Sequence, residues 1–166
     1  MRHGSTLPVL ETTVVSEWVD YNGHMNDAAY AIVFSRSVDA LMDRIGLDAA
    51  ARKGTGQSLF TLQMMLHYFK EAMEGDALAI SCQLLEHDDK RMRVWLDMTA
   101  PSGERLAASE QLLISVAQGD GSARAVEWSF ETKAALEALA KAQSGLPHPP
   151  AAGRSEERRV GKECSS

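Results

Sequence analysis

The chain reads as an α+β domain: one antiparallel sheet of about five strands wrapped around a single long central helix, with a further helix near the C-terminal end. Three observations predict this. Residues 27 to 45 place Tyr30, Phe34, Val38, Leu41 and Ile45 at helical spacing; segments between 58 and 116 alternate apolar and polar residues with period two; and "SFETKAALEALAKAQ", from Ser129, returns to a helix-forming composition. Consecutive strands after one helix pair most simply as hairpins, and the sheet they form needs the apolar stripe of that helix to cover one face.

Each element has a local cause. "VLETTVVSEWV", residues 9 to 19, is β-branched and aromatic and predicts a strand. A polar cluster follows, and the first helix begins at Asp27 and ends at "RIG", where Arg44 suits the negative end of the helix dipole and Gly46 stops the turn. "ARKGTGQ" predicts a loop. In residues 58 to 71, Phe60, Leu62, Met64, Leu66 and Tyr68 alternate with Thr61, Gln63, Met65 and His67, as in a half-buried strand. "GD" at 75 and 76 turns the chain into strands over 77 to 86 and 91 to 99, joined by "HDDK". After "PSGE", a last strand puts Leu106, Ala108, Leu112, Ile114 and Val116 on one face with Glu110 among them. Ser129 is a natural N-cap for the final helix. These elements define one domain over residues 8 to 145, and the charged, aperiodic stretch 146 to 166 predicts a disordered tail of cloning origin.

Composition excludes several classes. A net charge of −6 and a pI near 5.3 oppose binding to a phosphate backbone, which needs clustered positive charge. No apolar run approaches the roughly 18 to 20 residues that span a bilayer, and "MRHGSTLPVL" lacks the apolar core of a secretion signal, so the expected location is the cytoplasm. Cys82 and Cys164 suggest neither a disulfide framework nor a metal site.

The chemistry concentrates in "WVDYNGHMNDAAY". Asp20, Asn22, Gly23, His24 and Asn26 precede the first helix, whose unpaired backbone N–H groups and positive dipole end suit a developing oxyanion. A carboxylate there supplies a nucleophile or a base for water, which is a minimal outfit for acyl transfer; equally, Asp, Asn and Gly serve any strand-to-helix turn as caps. Asp20, His24 and Asp27 lack a third nitrogen ligand for a metal, so none is expected. Glu110, on an apolar face, requires either a basic partner such as His67, Lys70 or an arginine, or a cavity. His67 and Glu71 share one strand face, and Trp18, Tyr21, Trp95 and Trp128 are available as aromatic surfaces for a quaternary ammonium or as core. Lys70, Lys90, Arg91 and Arg93 are the candidates for phosphate contacts or for ordinary surface charge.

"DYNGHMNDAAY" followed by a hydrophobic helix, then "QMMLHYFKEAMEGD" and "SEQLLISV", closely resembles the hotdog-fold acyl-CoA thioesterases of the 4-hydroxybenzoyl-CoA thioesterase type, from about residue 10 to about residue 120. "EWVDYNGHMN" with "QLLEHDDKRMRVW" is most similar to the betainyl-CoA thioesterases, which also occur as the C-terminal part of L-carnitine dehydrogenases. The resemblance implies a hotdog fold and hydrolysis of an acyl-CoA, betainyl-CoA within carnitine breakdown, without a cofactor. Asp20 would attack the thioester or activate water, and Gly23 with the amides from His24 to Asp27 would form the oxyanion site, shaped by His24 and Asn26. Tyr21, Asn22, Asp27, Gln63, His67, Glu71, Trp95 and Glu110 would contact substrate, some of them across a homodimer or tetramer with interfacial sites. Position 27 departs from the neutral residue of many relatives and favours a cationic acyl group. Two rivals remain: a hotdog enoyl-CoA hydratase, whose Asp-x-Asn-Pro-x-His pattern "DYNGH" does not reproduce, and a non-catalytic acyl-CoA-binding module.

Overall fold

The structure, a computed structural model, describes residues 4–153. Strand β1 (Leu7–Thr13) leads through a single 3₁₀ turn at Ser16–Trp18 to helix α1 (Asp27–Arg44) and a short helix α2 (Ala49–Thr55). There follow β2 (Gln57–Tyr68), β3 (Ala77–His87), β4 (Arg91–Thr99), β5 (Arg105–Gly119), β6 (Ser122–Ala125) and helix α3 (Phe130–Ala142). The sheet is antiparallel with order β1-β3-β4-β5-β2, and β6 pairs with the far end of β5.

Three elements differ from the sequence expectation. The first strand stops at Thr13 rather than Val19, because its partner β3 begins at Ala77, opposite Thr13, and past the bonds of Val14 to Asp76 and Gly75 the chain bends into the 3₁₀ turn that buries Trp18. The expected loop at "ARKGTGQ" carries α2, capped by the Asp48 carboxylate on Ala51 N–H (2.8 Å) and ended by Gly56 in the left-handed region. A sixth strand forms because Asp120 and Gly121, both at positive φ, make a two-residue turn between Gly119 and Ser122.

Helix α1 buries Ala29, Tyr30, Val33, Phe34, Val38, Leu41 and Met42 against Leu78, Ile80 and Cys82 of β3 and Met92, Val94, Leu96 and Met98 of β4. Burial pushes the Cys82 thiol up to about 12, so it stays a neutral core atom. Helix α3 extends this core with Leu136, and just beyond it the Gln143 side chain accepts from Leu84 N–H (2.8 Å) and donates to Cys82 C=O (3.0 Å). Gln143 thus supplies the hydrogen bonds that β1, which begins at Leu7 opposite Cys82, does not offer the rest of β3. No helix among the described residues is long and apolar enough to cross a membrane.

Strand alternation sends the intervening residues to the other sheet face. There Trp95 and Glu110 are cross-strand partners, with Met65 next to Glu110 on β2. Residues 146–153, predicted to begin a disordered tail, run over this face instead: Gln83 donates to Pro147 C=O (3.1 Å), and Gly153 N–H reaches both Glu110 oxygens (3.0 Å). The rest of that predicted tail lies outside the described residues.

Candidate active site

Asp20 folds its own loop. Its Oδ1 accepts from Asn22 N–H (2.8 Å) and His24 N–H (3.1 Å), while its backbone N–H and C=O bond to His24 C=O (2.8 Å) and Gly23 N–H (3.0 Å). This closure needs φ +79° at Gly23, where a side chain would be strained although the nearest atom to an added Cβ is Met73 Cε at 3.8 Å. The other oxygen, Oδ2, has no hydrogen-bond partner among the described residues and lies on an exposed side chain.

The segment after β2 braces the loop. Met25 N–H donates to Ala72 C=O (2.8 Å), Glu74 N–H donates to Gly23 C=O (3.0 Å), and His24 bridges Met73. His24 Nδ1 lies 3.1 Å from Glu71, so with its proton on that nitrogen the ring is turned towards Glu71.

At the helix start the amides divide. His24 N–H is held by Asp20, Met25 N–H by Ala72 and Asn26 N–H by Trp18 C=O (2.9 Å). The Asn26 side chain caps Ala29 N–H (3.1 Å), and the Asp27 carboxylate accepts from Ala28 N–H (2.9 Å). Asp27 N–H is the amide of positions 24 to 27 left without an acceptor among the described residues. Of the four amides expected to face an oxyanion, this one alone is open to an acceptor among the described residues, at the positive end of an 18-residue helix.

Of the sequence-predicted residues, Asp20, Asn22, Gly23, His24, Asn26, Asp27 and Glu71 come together here, and Tyr21 projects from the same loop, 96% exposed. Gln63, His67, Trp95 and Glu110 do not. They lie on the sheet face away from α1, because a strand that points Tyr68 at the helix must point His67 outward. The His67 ring instead packs 5.4 Å from Trp95, and Glu110, 5% exposed, is satisfied by Gly153 N–H and by Arg93 at 3.9 Å. Lys70 pairs with Glu104 (2.8 Å) rather than with Glu110. Trp18, under the Arg36 guanidinium, and Trp128, donating to Asp88 C=O (2.7 Å), are structural.

Two tyrosines at the site were hidden in the apolar patterns. Tyr68 Oη donates to Asp27 C=O (3.1 Å), Tyr30 Oη accepts from Ala72 N–H (3.2 Å), and the rings meet edge to face at 5.2 Å. Burial raises the pKa of both, with the Asp27 charge adding to the rise at Tyr68 and the Glu71 charge to that at Tyr30. For Tyr30 a hydroxyl at a buried apolar position, needing a partner, was the available signal; Tyr68, half exposed, carried none.

Residues 14–136 match the family model of the thioesterase-like superfamily. The betainyl-CoA thioesterase of Pseudomonas aeruginosa is 46% identical over 149 residues, covering 89% of this chain and 92% of that protein. The L-carnitine dehydrogenase/betainyl-CoA thioesterase of Rhizobium meliloti is 35% identical over 89% of this chain, which spans only 29% of that longer protein. Among solved structures, a Staphylococcus aureus protein in complex with CoA superposes with a TM-score of 0.83 at 25% identity, covering 93% of this chain and 96% of that one.

Proposed function

The chain belongs to the thioesterase-like superfamily, and on that premise we propose that it hydrolyses betainyl-CoA to betaine and CoA through the Asp20 loop and the Asp27 amide. The observation that carries this is a carboxylate oxygen, Asp20 Oδ2, and a helix N-terminal amide seven residues on, Asp27 N–H, both without a partner among the described residues. With the thioester oxygen on Asp27 N–H, charge developing on that oxygen meets a fixed dipole. If Asp20 Oδ2 attacks the carbonyl carbon, the C–S bond breaks, CoA leaves as a thiolate that takes a proton from water, and a further water hydrolyses the mixed anhydride on Asp20 to release betaine; if Asp20 instead takes a proton from water, the hydroxide adds to the carbonyl carbon, the C–S bond breaks, and that proton passes to the departing thiolate. His24, turned to Glu71, shapes the pocket rather than sharing a proton with Asp20, which disfavours the hydratase alternative.

Acyl selectivity rests on charge. Asp27 places a carboxylate on the residue whose amide holds the carbonyl, and Glu71 adds another beside His24. The betainyl nitrogen sits two bonds from the carbonyl carbon, so its positive charge falls within this acidic surround, whereas an anionic acyl group would be repelled.

The assembly is a homodimer formed through β2. This edge strand leaves Phe60 (41%), Leu62 (51%), Met64 (39%) and Tyr68 (50%) exposed, an apolar edge that a second copy would cover. Tyr68 ties that edge to the helix start, so the site lies close to the interface. The cytoplasm, where CoA thioesters are held, is the matching location.

Asp20→Asn tests the assignment. Asparagine keeps the Oδ1 acceptor for both loop amides, so the fold survives, while the attacking or basic oxygen is lost and thiol release from betainyl-CoA falls by about 100-fold or more. A wild-type enzyme that releases no CoA from betainyl-CoA, or an Asp20→Asn variant at full rate, would refute it.

A further inference from the structure

We propose that Tyr68 is a positioning residue that aims the Asp27 amide at the thioester oxygen; this role rests on the oxyanion assignment above. The Tyr68 hydroxyl, from the last residue of β2, bonds the carbonyl of the very residue whose N–H is unpartnered, across 41 positions of chain. The Asp27 carbonyl is a first-turn helix acceptor and already serves a backbone N–H one turn on, so the tyrosine bond is additional to the helix's own pattern. It does not stabilise an orphaned group. What it adds is a fixed orientation for residue 27, whose N–H and C=O flank one α-carbon.

The surroundings hold Tyr68 for this task. Its ring stands edge-on to Tyr30 at 5.2 Å and 89°, a favoured aromatic geometry. Tyr30 is buried on α1 and accepts from Ala72, whose carbonyl in turn receives Met25 N–H. The chain of contacts β2–Tyr68–Tyr30–Ala72–Met25 therefore grips the helix start from two sides, its first turn through Asp27 and its approach through Met25. The nearby Asp27 charge and partial burial both favour the neutral phenol, which keeps the donor proton present across the assay range. Since Tyr68 also belongs to the exposed β2 edge, the same side chain links dimer formation to the geometry of the amide.

Tyr68→Phe removes the hydroxyl and leaves the ring pair. For betainyl-CoA, kcat is expected to fall about 5- to 10-fold, the effect of one neutral hydrogen bond, with KM within about twofold. Because no buried group is orphaned, the melting temperature stays within about 2 °C. Hydrogen exchange resolved to single residues should be faster at the amides of the first α1 turn in the variant. Retained kcat, or a loss that appears in KM or stability in place of kcat, or unchanged exchange, overturns the positioning role. If Asp20→Asn is inactive and Tyr68→Phe is fully active, the site assignment stands and only this role fails; if Asp20→Asn is fully active, both fail.

Discussion

Asp27→Asn isolates the charge that we hold responsible for acyl selectivity. Asparagine retains an Oδ1 to accept from Ala28 N–H and leaves the Asn26 cap untouched, so only the negative charge disappears. With the thioester oxygen about 3 Å from Asp27 N–H, the betainyl nitrogen lies about 6 Å from the Asp27 carboxylate. Coulomb's law then gives about 0.7 kcal/mol at the dielectric of water and about 3 kcal/mol at the effective value near a protein surface. The side chain is exposed, so a value near 1.4 kcal/mol, or about tenfold, is the expectation. The comparison substrate is 3,3-dimethylbutyryl-CoA, the carbon isostere of betainyl-CoA, which matches its shape without the charge. Thiol release followed with a disulfide reagent gives kcat/KM for both; Asp27→Asn should cut the betainyl-to-isostere ratio about tenfold, mainly through loss on betainyl-CoA. The wild-type ratio should itself shrink in salt, as the Debye length drops from about 10 Å at 0.1 M to about 3 Å at 1 M. A ratio unchanged within twofold in the variant would refute electrostatic selection by this residue and leave the hydrolytic assignment untouched.

Two further outcomes follow from the geometry. Gly23→Ala forces a side chain into φ +79°, which costs about 1–2 kcal/mol and should lower the melting temperature by about 3–6 °C in calorimetry. Because Asp20 and Asp27 lie on opposite sides of Gly23, kcat/KM should fall as well; a variant with full activity would show that the loop tolerates another path. Leu62→Asp puts a charge at the centre of the exposed β2 edge, where Leu62 has no paired residue on β5, and should leave the fold but yield a monomer by light scattering with reduced activity. A Leu62→Asp protein that remains dimeric would place the interface elsewhere.

What the sequence made legible was whatever local periodicity or chemistry encodes. Helix α1 could be bounded at both ends because Asn26, Arg44 and Gly46 each have a local reason to be there, and Ser129 marked α3 for the same cause. The candidate loop stood out because Asp20, Gly23 and Asn26 lie within a few residues of one another. Sheet-face membership was not legible for the site as a whole. His67 and Tyr68 are neighbours in sequence and opposites in space; the period-two pattern already sets Tyr68 with the apolar face, but only the register with β5 shows that the His67 face, with Gln63 and Glu110, lies away from the site. Glu110 needs a partner, and the expected arginine is Arg93 at 3.9 Å, but its hydrogen bonds come from the backbone of Gly153, forty-three positions away, which no pattern along the chain signals. Occupancy of the amides was equally hidden. That Met25 N–H is spent on Ala72 follows from how the 71–76 segment docks, a tertiary fact.

The acidic helix start also carries a tension that the substrate resolves. Asp27 at the first position of α1 stabilises the helix against its own dipole, and Asp20 closes the loop ahead of it. Both charges nevertheless oppose a negative oxygen forming on the Asp27 amide. With a neutral acyl group, that oxygen would gain one hydrogen bond and the helix dipole while facing the carboxylates Asp20 and Asp27. A betainyl group brings a fixed positive charge two bonds from the reacting carbon, so the oxyanion, the cation and the carboxylates alternate in sign across the site. Part of the stabilisation that hydrolysis requires is then supplied by the substrate itself. On the proposed reading the second negative charge, which would slow a general thioesterase, would make a selective one, and replacing it should raise activity on the neutral isostere even as betainyl-CoA turnover declines.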